Sequence, residues 1–245
     1  METSKTADQA LALLLELGRE PGQTPADIAR SLGLNRTVVH RLLATLEGRG
    51  FVRRASKDPT FVLGAALLEL AQRAEPELRS LAEPAMQELA RTVGETVLLF
   101  APAPRLVPPQ ATVVAQVLGD RHVIRVQYDM AHLIPLTLSA GGRVLLAFSD
   151  PQTTSLAIAN SDDPATVERQ LAEIRRAGIA YSEDELLAGV TGVAAPVLGV
   201  DTYAVASLVI AAPSNRRAHL DSMVDQLVHT ARSLGELVAR SQSTA

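Results

Sequence analysis

The sequence predicts an α+β protein in two parts, a small helical N-terminal domain that ends in a hairpin and a larger C-terminal domain of mixed strands and helices. Three observations predict this. Apolar residues recur at helical spacing between Gly and Pro punctuation through residues 7–46. Beyond residue 76, short Val-, Ile- and Leu-rich runs mix with helical patterns but lack the steady strand–helix–strand rhythm of a parallel sheet. A length of 245 residues suits one large or two modest domains. The boundaries drawn are 1–63 for the first domain, 64–76 for a linker helix and 77–245 for the second domain.

Ala7, Leu11, Leu14 and Leu15 are spaced to draw one stripe on a helix that stops at Gly18. Glu20-Pro21-Gly22 is turn chemistry, and Thr24 ahead of Pro25 reads as an N-cap with proline in the first helical position. The helix that follows, 26–32, ends at Gly33, a residue free to take the left-handed conformation. Asn35 then caps a third helix from Arg36 to about Gly48, with Val39, Leu42, Leu43 and Leu46 facing inward. Two short helices joined across Gly33-Leu34-Asn35 form a helix-turn-helix arrangement. Residues 51–54 and 60–63 flank the turn-forming Ser56-Lys57-Asp58-Pro59, so a small hairpin, or wing, comes next. Leu63, Leu67, Leu70 and Ala74 return to helical spacing, and Pro76 ends that linker helix.

In the second domain the pattern predicts a helix at 78–93, a strand at 96–100, a proline-rich loop at 102–109, and strands at 112–118 and 122–127. Ser139-Ala140-Gly141-Gly142-Arg143 opens an apolar helix at 144–148, followed by a helix at 164–177, strands at 190–198 and 202–212, and a closing helix at 218–240.

Charge is unevenly spread. The chain carries a formal −4, yet Arg30 to Lys57 holds seven basic residues and one acid, Glu47. A solvated Arg-rich surface is the plain alternative, but the cluster falls on the third helix and the wing, where a polyanion would be met. In that arrangement Arg36, Thr37, Val38 and His40 lie nearest the base edges and Arg41 one turn on. Arg36 offers two parallel donors to a guanine, and Thr37 or Val38 an apolar touch to a thymine methyl. Asn35 caps amides that suit a phosphate, and Arg53, Arg54 and Lys57 of the wing would sit over the backbone. His40 alone is equally a surface or core-edge imidazole.

Other chemistries find little footing. With no cysteine, disulfides, thiolate nucleophiles and Cys-based metal sites are excluded. No nucleophile elbow, phosphate-binding loop or HExxH pattern occurs, and the five histidines show no ligand spacing. Neither an enzyme nor a cofactor or metal is expected. No apolar run reaches the roughly 18 residues of a membrane span, and the polar N-terminus is unlike a signal peptide, so no membrane partner and a cytoplasmic location are expected. Glu183-Asp184-Glu185 reads as a solvated turn or helix start in preference to an acid–base site.

The stretch Leu34-Asn35-Arg36-Thr37-Val38-Val39-His40-Arg41-Leu42-Leu43 through Gly50-Phe51 resembles the recognition helix of the IclR-type bacterial transcription regulators. The likeness continues in Phe61-Val62-Leu63-Gly64, Leu67-Leu68-Glu69-Leu70, Gly94-Glu95-Thr96-Val97, Pro135-Leu136, Gly142 to Phe148, Ile174 to Gly178, Gly189-Val190 and Ala194 to Val197, covering nearly the whole chain. It implies a winged helix-turn-helix domain joined by the linker helix to a GAF-like effector-binding domain with a mainly antiparallel sheet, assembled as dimers or tetramers on operator DNA. Asn35 stands where the family commonly has proline and Val38 where it has a small hydroxylated residue, so base preference is not carried over.

Family members that bind small carboxylates place Asp, Cys and Ser side chains in the effector pocket. The comparable stretches here offer Ser182, Val190, Gly192, Val209 and Ala211, a wall with few hydrogen-bonding groups that disfavours a bare carboxylate lacking a charge partner. Ser139, Ala140 and Gly141 either present helix-start amides to an anionic or carbonyl group of the effector, or form a plain tight turn. The expected function is therefore an effector-responsive regulator, a repressor in preference to an activator, binding a pseudo-palindromic operator and an apolar or aromatic effector. The alternative is a GAF-like small-molecule sensor or enzyme whose winged helix mediates protein contacts only.

Overall fold

The computed structural model describes residues 4–55, 59–73, 76–103, 107–128 and 133–242. They divide into two compact units, residues 1–76 and 77–245.

In the first unit α1 (Lys5–Arg19), α2 (Pro25–Ser31) and α3 (Arg36–Gly48) precede the hairpin of β1 (Val52–Arg54) and β2 (Phe61–Leu63), and α4 (Ala66–Arg73) follows. Local chemistry sets these boundaries. The Thr24 hydroxyl accepts from the Asp27 amide while the Asp27 carboxylate accepts from the Thr24 amide and hydroxyl, closing a capping box at the start of α2. Gly33, at φ +62°, turns the chain between α2 and α3 in a conformation a Cβ would resist. The pairs Arg53↔Val62 and Arg54↔Phe61 fix the hairpin register; its tip, 56–58, lies outside the described residues.

Leu13, Leu17, Ile28, Val39, Leu42, Leu43, Val52 and Phe61 form the unit's core. On α1 this corrects the expected stripe. Leu13 and Leu17 are buried, whereas Leu11 and Leu15 are 61% and 55% exposed. Residues 11–15 are apolar on every side, so helical periodicity fits two faces equally, and packing against α2 and the hairpin chooses between them.

The second unit runs α5 (Pro76–Val93), β3 (Thr96–Ala103), β4 (Gln110–Val117), β5 (Leu133–Pro135), α6 (Ser139–Ala147), α7 (Pro151–Ala159), α8 (Pro164–Ala177), β6 (Ala180–Glu183), β7 (Val190–Leu198), β8 (Ala204–Pro213), α9 (Arg217–Leu220) and α10 (Val224–Gln242). Its six strands lie in the order β5-β4-β3-β8-β7-β6, every neighbouring pair antiparallel. The two-residue period sorts side chains to opposite faces. Val97, Leu99, Val193, Val197, Leu208 and Ile210 pack with α5, α9 and α10, whereas Leu98, Phe100, Ala194, Val209 and Ala211 pack with α6 and α8. Helices thus cover both faces of one sheet, the GAF-like arrangement.

Several elements differ from the sequence reading. The strand expected at 122–127 does not form. Side chains take its backbone carbonyls: Thr96 donates to the Val126 carbonyl at 2.7 Å and Arg216 to that of Ile124 at 3.0 Å, and Val123 is 99% exposed. The short β5 joins the sheet beside β4 instead. α6 begins at Ser139, so the Ser-Ala-Gly-Gly string is its first turn rather than a prelude to it. α7 and β6 were not expected, and the closing helix is divided into α9 and α10 with a short turn between them.

Candidate functional sites

The N-terminal turn of α3 is organised by Asn35, whose side chain accepts from the Thr37 amide at 2.8 Å. With Val39, Leu42 and Leu43 turned into the core, helical geometry leaves Arg36, Thr37, His40 and Arg41 together on the opposite, exposed face. Val38 is half-buried against the core and shows the solvent only part of its side chain.

On the wing, Val52 is buried and Arg53 and Arg54 are exposed. Arg54 donates its Nε to Glu47 on α3 at 3.2 Å, and its guanidinium lies over the Phe61 ring, 5.3 Å from the centroid. Arg53 has no acidic partner among the described residues, and Lys57 lies outside them. Arg30, part of the same basic run, is held by Asp27 at 3.1 Å.

In the second unit the structure brings most of the expected effector residues onto one surface, the meeting of α6 with the sheet. Gly141 seats the helix so closely that a Cβ there would lie 2.7 Å from Phe100 and 2.9 Å from Val209. A Cβ on Gly192 would lie 3.3 Å from the Ser182 hydroxyl and 3.7 Å from Val209. Ala211 is the register partner of Gly192, Ala140 belongs to the same core, and the half-buried Val190 packs against its margin.

Ser139, at φ +65°, is the exception to a purely apolar wall. Its amide is taken by Glu185 at 2.9 Å, and its hydroxyl accepts from the Gly142 amide. The buried Arg143 donates through both terminal nitrogens to the Glu185 carboxylate, at 2.6 and 2.7 Å, and to the Tyr181 carbonyl at 2.7 Å. Residues 183–185 stand at a turn with Glu183 and Asp184 exposed, as expected, but Glu185 is half-buried and engaged. Glu185 neutralises a buried cation and caps α6, while Asp184 accepts from the Gly189 amide and the Ser214 hydroxyl.

Further residues at this surface carried no local signal in the sequence. Phe100 and Tyr128 meet edge to face, their centroids 6.5 Å apart, and burial pushes the Tyr128 phenol above its ordinary range. The buried Ser207 hydroxyl donates to the Gly141 carbonyl at 2.9 Å. Phe100 and Ser207 reach the wall from β3 and β8, and Tyr128 from the loop ahead of β5, so they could be found only through the fold.

A winged helix-turn-helix followed by a helix-covered antiparallel sheet is the plan of a helix-turn-helix transcription regulator. The comparisons give the same result. Residues 6–56 match the IclR helix-turn-helix domain, and residues 72–236 match the C-terminal domain of the bacterial transcriptional regulator IclR. The chain belongs to the IclR family of bacterial transcription regulators. The HTH-type transcriptional regulator TtgV of Pseudomonas putida is 28% identical over 248 residues, covering 97% of this chain and 93% of that protein. An IclR-type regulator from Silicibacter superposes with a TM-score of 0.84 at 26% identity, covering 96% of each chain. An IclR homologue from Microbacterium hydrocarbonoxydans, solved as a complex with 4-hydroxybenzoate, shares the fold with a TM-score of 0.77 at 23% identity, covering 97% of this chain and all of the other.

Proposed function

We propose that this regulator is an operator-binding repressor released by an apolar or aromatic small molecule. The observation that carries the DNA half is the exposed α3 face of Arg36, Thr37, His40 and Arg41 behind the Asn35 cap. In this reading Arg36 pairs with a guanine edge, Thr37 and the exposed part of Val38 touch a thymine methyl, and His40 and Arg41 extend the contact. Arg53 and Lys57 meet phosphates, and Arg54, seated between Glu47 and Phe61, holds the wing to α3 and adds its charge to the same field. This reading face rests on a core contributed by the first unit alone. The transcriptional repressor IclR of Escherichia coli, 24% identical over 207 residues that cover 78% of this chain, supports repression. Such a protein works in the cytoplasm, as a dimer or tetramer on paired half-sites.

The ligand half rests on the wall between α6 and the sheet. Ser139, Ala140 and Gly141 line its helix side, and Ser182, Val190, Gly192, Val209 and Ala211 its sheet side. The one buried cation there, Arg143, is already matched by Glu185, so a hydrophilic acid gains no free charge partner. The Ser182 hydroxyl and the Phe100–Tyr128 pair suit a neutral or phenolic ring. The homologue that holds 4-hydroxybenzoate makes that compound a reasonable first probe.

The test combines mobility shifts with calorimetry. Arg36→Ala is expected to cost about 1–3 kcal/mol on the selected operator and to relax base preference, whereas Arg53→Ala weakens all sequences alike and lowers the salt slope by about 1. Equal behaviour of the two variants would refute their assigned roles. Binding of pyruvate more tightly than of a phenol would refute the ligand class.

A further inference from the structure

Residues 77–245 carry 13 Arg and 18 Asp or Glu, a net −5, yet three of those arginines gather around one cavity. The cavity measures about 510 Å³ and lies where the end of α8, β7 and α10 meet. Arg175 and Arg176 come from the last turn of α8, and Arg232 from the middle of α10, with Glu236 the one acid in the lining. Beneath them the wall is apolar, formed by Phe148, Pro196 and Leu198.

Arg175 is fixed in place by donating its Nε to the Ala147 carbonyl at 2.7 Å, a bond that satisfies the C-terminal end of α6. Arg176 and Arg232 have no acidic partner among the described residues. Compensation of the α8 dipole accounts for arginines at its last turn, but not for Arg232, which stands on another helix and converges on the same space. A second cavity of about 570 Å³ shares Phe148 and Arg175 with the first and adds Tyr203 and Pro151. Either volume lies within the range of small-molecule sites.

We infer that the chain has a second ligand site here, for an amphipathic carboxylate whose head lies among Arg175, Arg176 and Arg232 and whose acyl or aromatic body covers Phe148 and Leu198. A neutral apolar ligand would leave the guanidiniums desolvated without a partner, and a small inorganic anion would leave the apolar floor wet. The carboxylate meets both demands. The site lies at the end of α6 opposite the wall assigned above and does not depend on that assignment.

Octanoate below its micellar range, octanol and inorganic phosphate are suitable probes, titrated into the full chain by calorimetry and followed by the methyl resonances of Leu198 and Val209. Octanoate is expected to bind more tightly than either of the other two and to shift Leu198 while leaving Val209 unmoved. The exposed double variant Arg176→Gln/Arg232→Gln, with its melting temperature checked, is expected to weaken octanoate by at least about tenfold. Three outcomes would overturn the proposal: octanoate affinity unchanged in the double variant, no preference for octanoate over octanol, or a shift at Val209 in place of Leu198.

Discussion

Glu47 is the one acid within the basic run from Arg30 to Lys57, and its role separates two readings of the wing. As a charge alone, it opposes DNA, and its neutralisation would tighten binding to any phosphate backbone. As the partner of Arg54, at 3.2 Å, it anchors β1 to α3 while Phe61 supports the guanidinium from beneath. The second role follows from the geometry, because Arg54 is the register partner of Phe61 and the pair joins wing to recognition helix at one point. Glu47→Gln is therefore expected to weaken operator binding by about twofold to fivefold, the scale of an exposed pair, even though it makes the face more positive. Fluorescence anisotropy on a labelled operator at fixed salt measures it. Tighter binding by the variant would show that Glu47 only dilutes the charge.

Among the elements, α7 shows how capping carries a short helix with little else to hold it. Ala157 is its one fully buried residue, so burial contributes little. Asp150 instead accepts from the Gln152 and Thr153 amides, each at 2.9 Å, and from the Thr153 hydroxyl at 2.6 Å. These bonds, the Thr153 hydroxyl first, hold the Asp150 carboxyl below the usual carboxylate range. A depressed folded-state value means stability that is present above the ordinary carboxylate range and lost as pH falls through the folded value. Asp150→Asn keeps the amide bonds but has no charge to lose. Wild type is expected to melt higher than the variant near neutrality, with the difference closing between about pH 5 and pH 2. A difference that stays constant across that range would assign the cap's contribution to hydrogen-bond geometry alone.

The same element shows where the sequence was legible and where it was not. Asp150-Pro151 is a helix-start signal, but Thr153-Thr154-Ser155 breaks the apolar period that would have extended it. By contrast α2, α3 and the hairpin were legible because their caps, turns and inner faces agree. In α1 the period was present but ambiguous, since the leucine run satisfies two stripes. At 122–127 a run rich in Val and Ile was present without a partner, because side chains from β3 and from the turn ahead of α9 satisfy the carbonyls a neighbouring strand would have used. The proposed ligand wall divides the same way. Gly192 and Val209 came from the family resemblance and Gly141 from its place at a helix start, whereas Phe100, Ser207 and the Arg143–Glu185 pair depend on contacts that only the folded sheet creates.

For the whole molecule, the governing quantity is how much DNA one copy can read. A single recognition helix and wing form one module, and modules of that size contact only a few base pairs and bury about 600–1,000 Å². Discrimination of an operator from a genome's competing sites takes more contacts than that, which a second copy related by a two-fold axis would supply in the proposed assembly. The operator should then be an inverted repeat whose half-site centres lie about 34 Å, one helical turn, or a multiple of it apart. Such geometry makes a sharp demand on spacing. Inserting about five base pairs between the half-sites rotates one of them to the far side of the duplex, and inserting about ten restores its facing at a greater distance. On a site selected from random DNA, the shorter insertion is expected to weaken binding more than the longer one, with both measured by mobility shift at one salt concentration. Half-sites that bind equally well at every spacing would mean that each copy reads DNA independently, and the two-fold assembly would have to be abandoned.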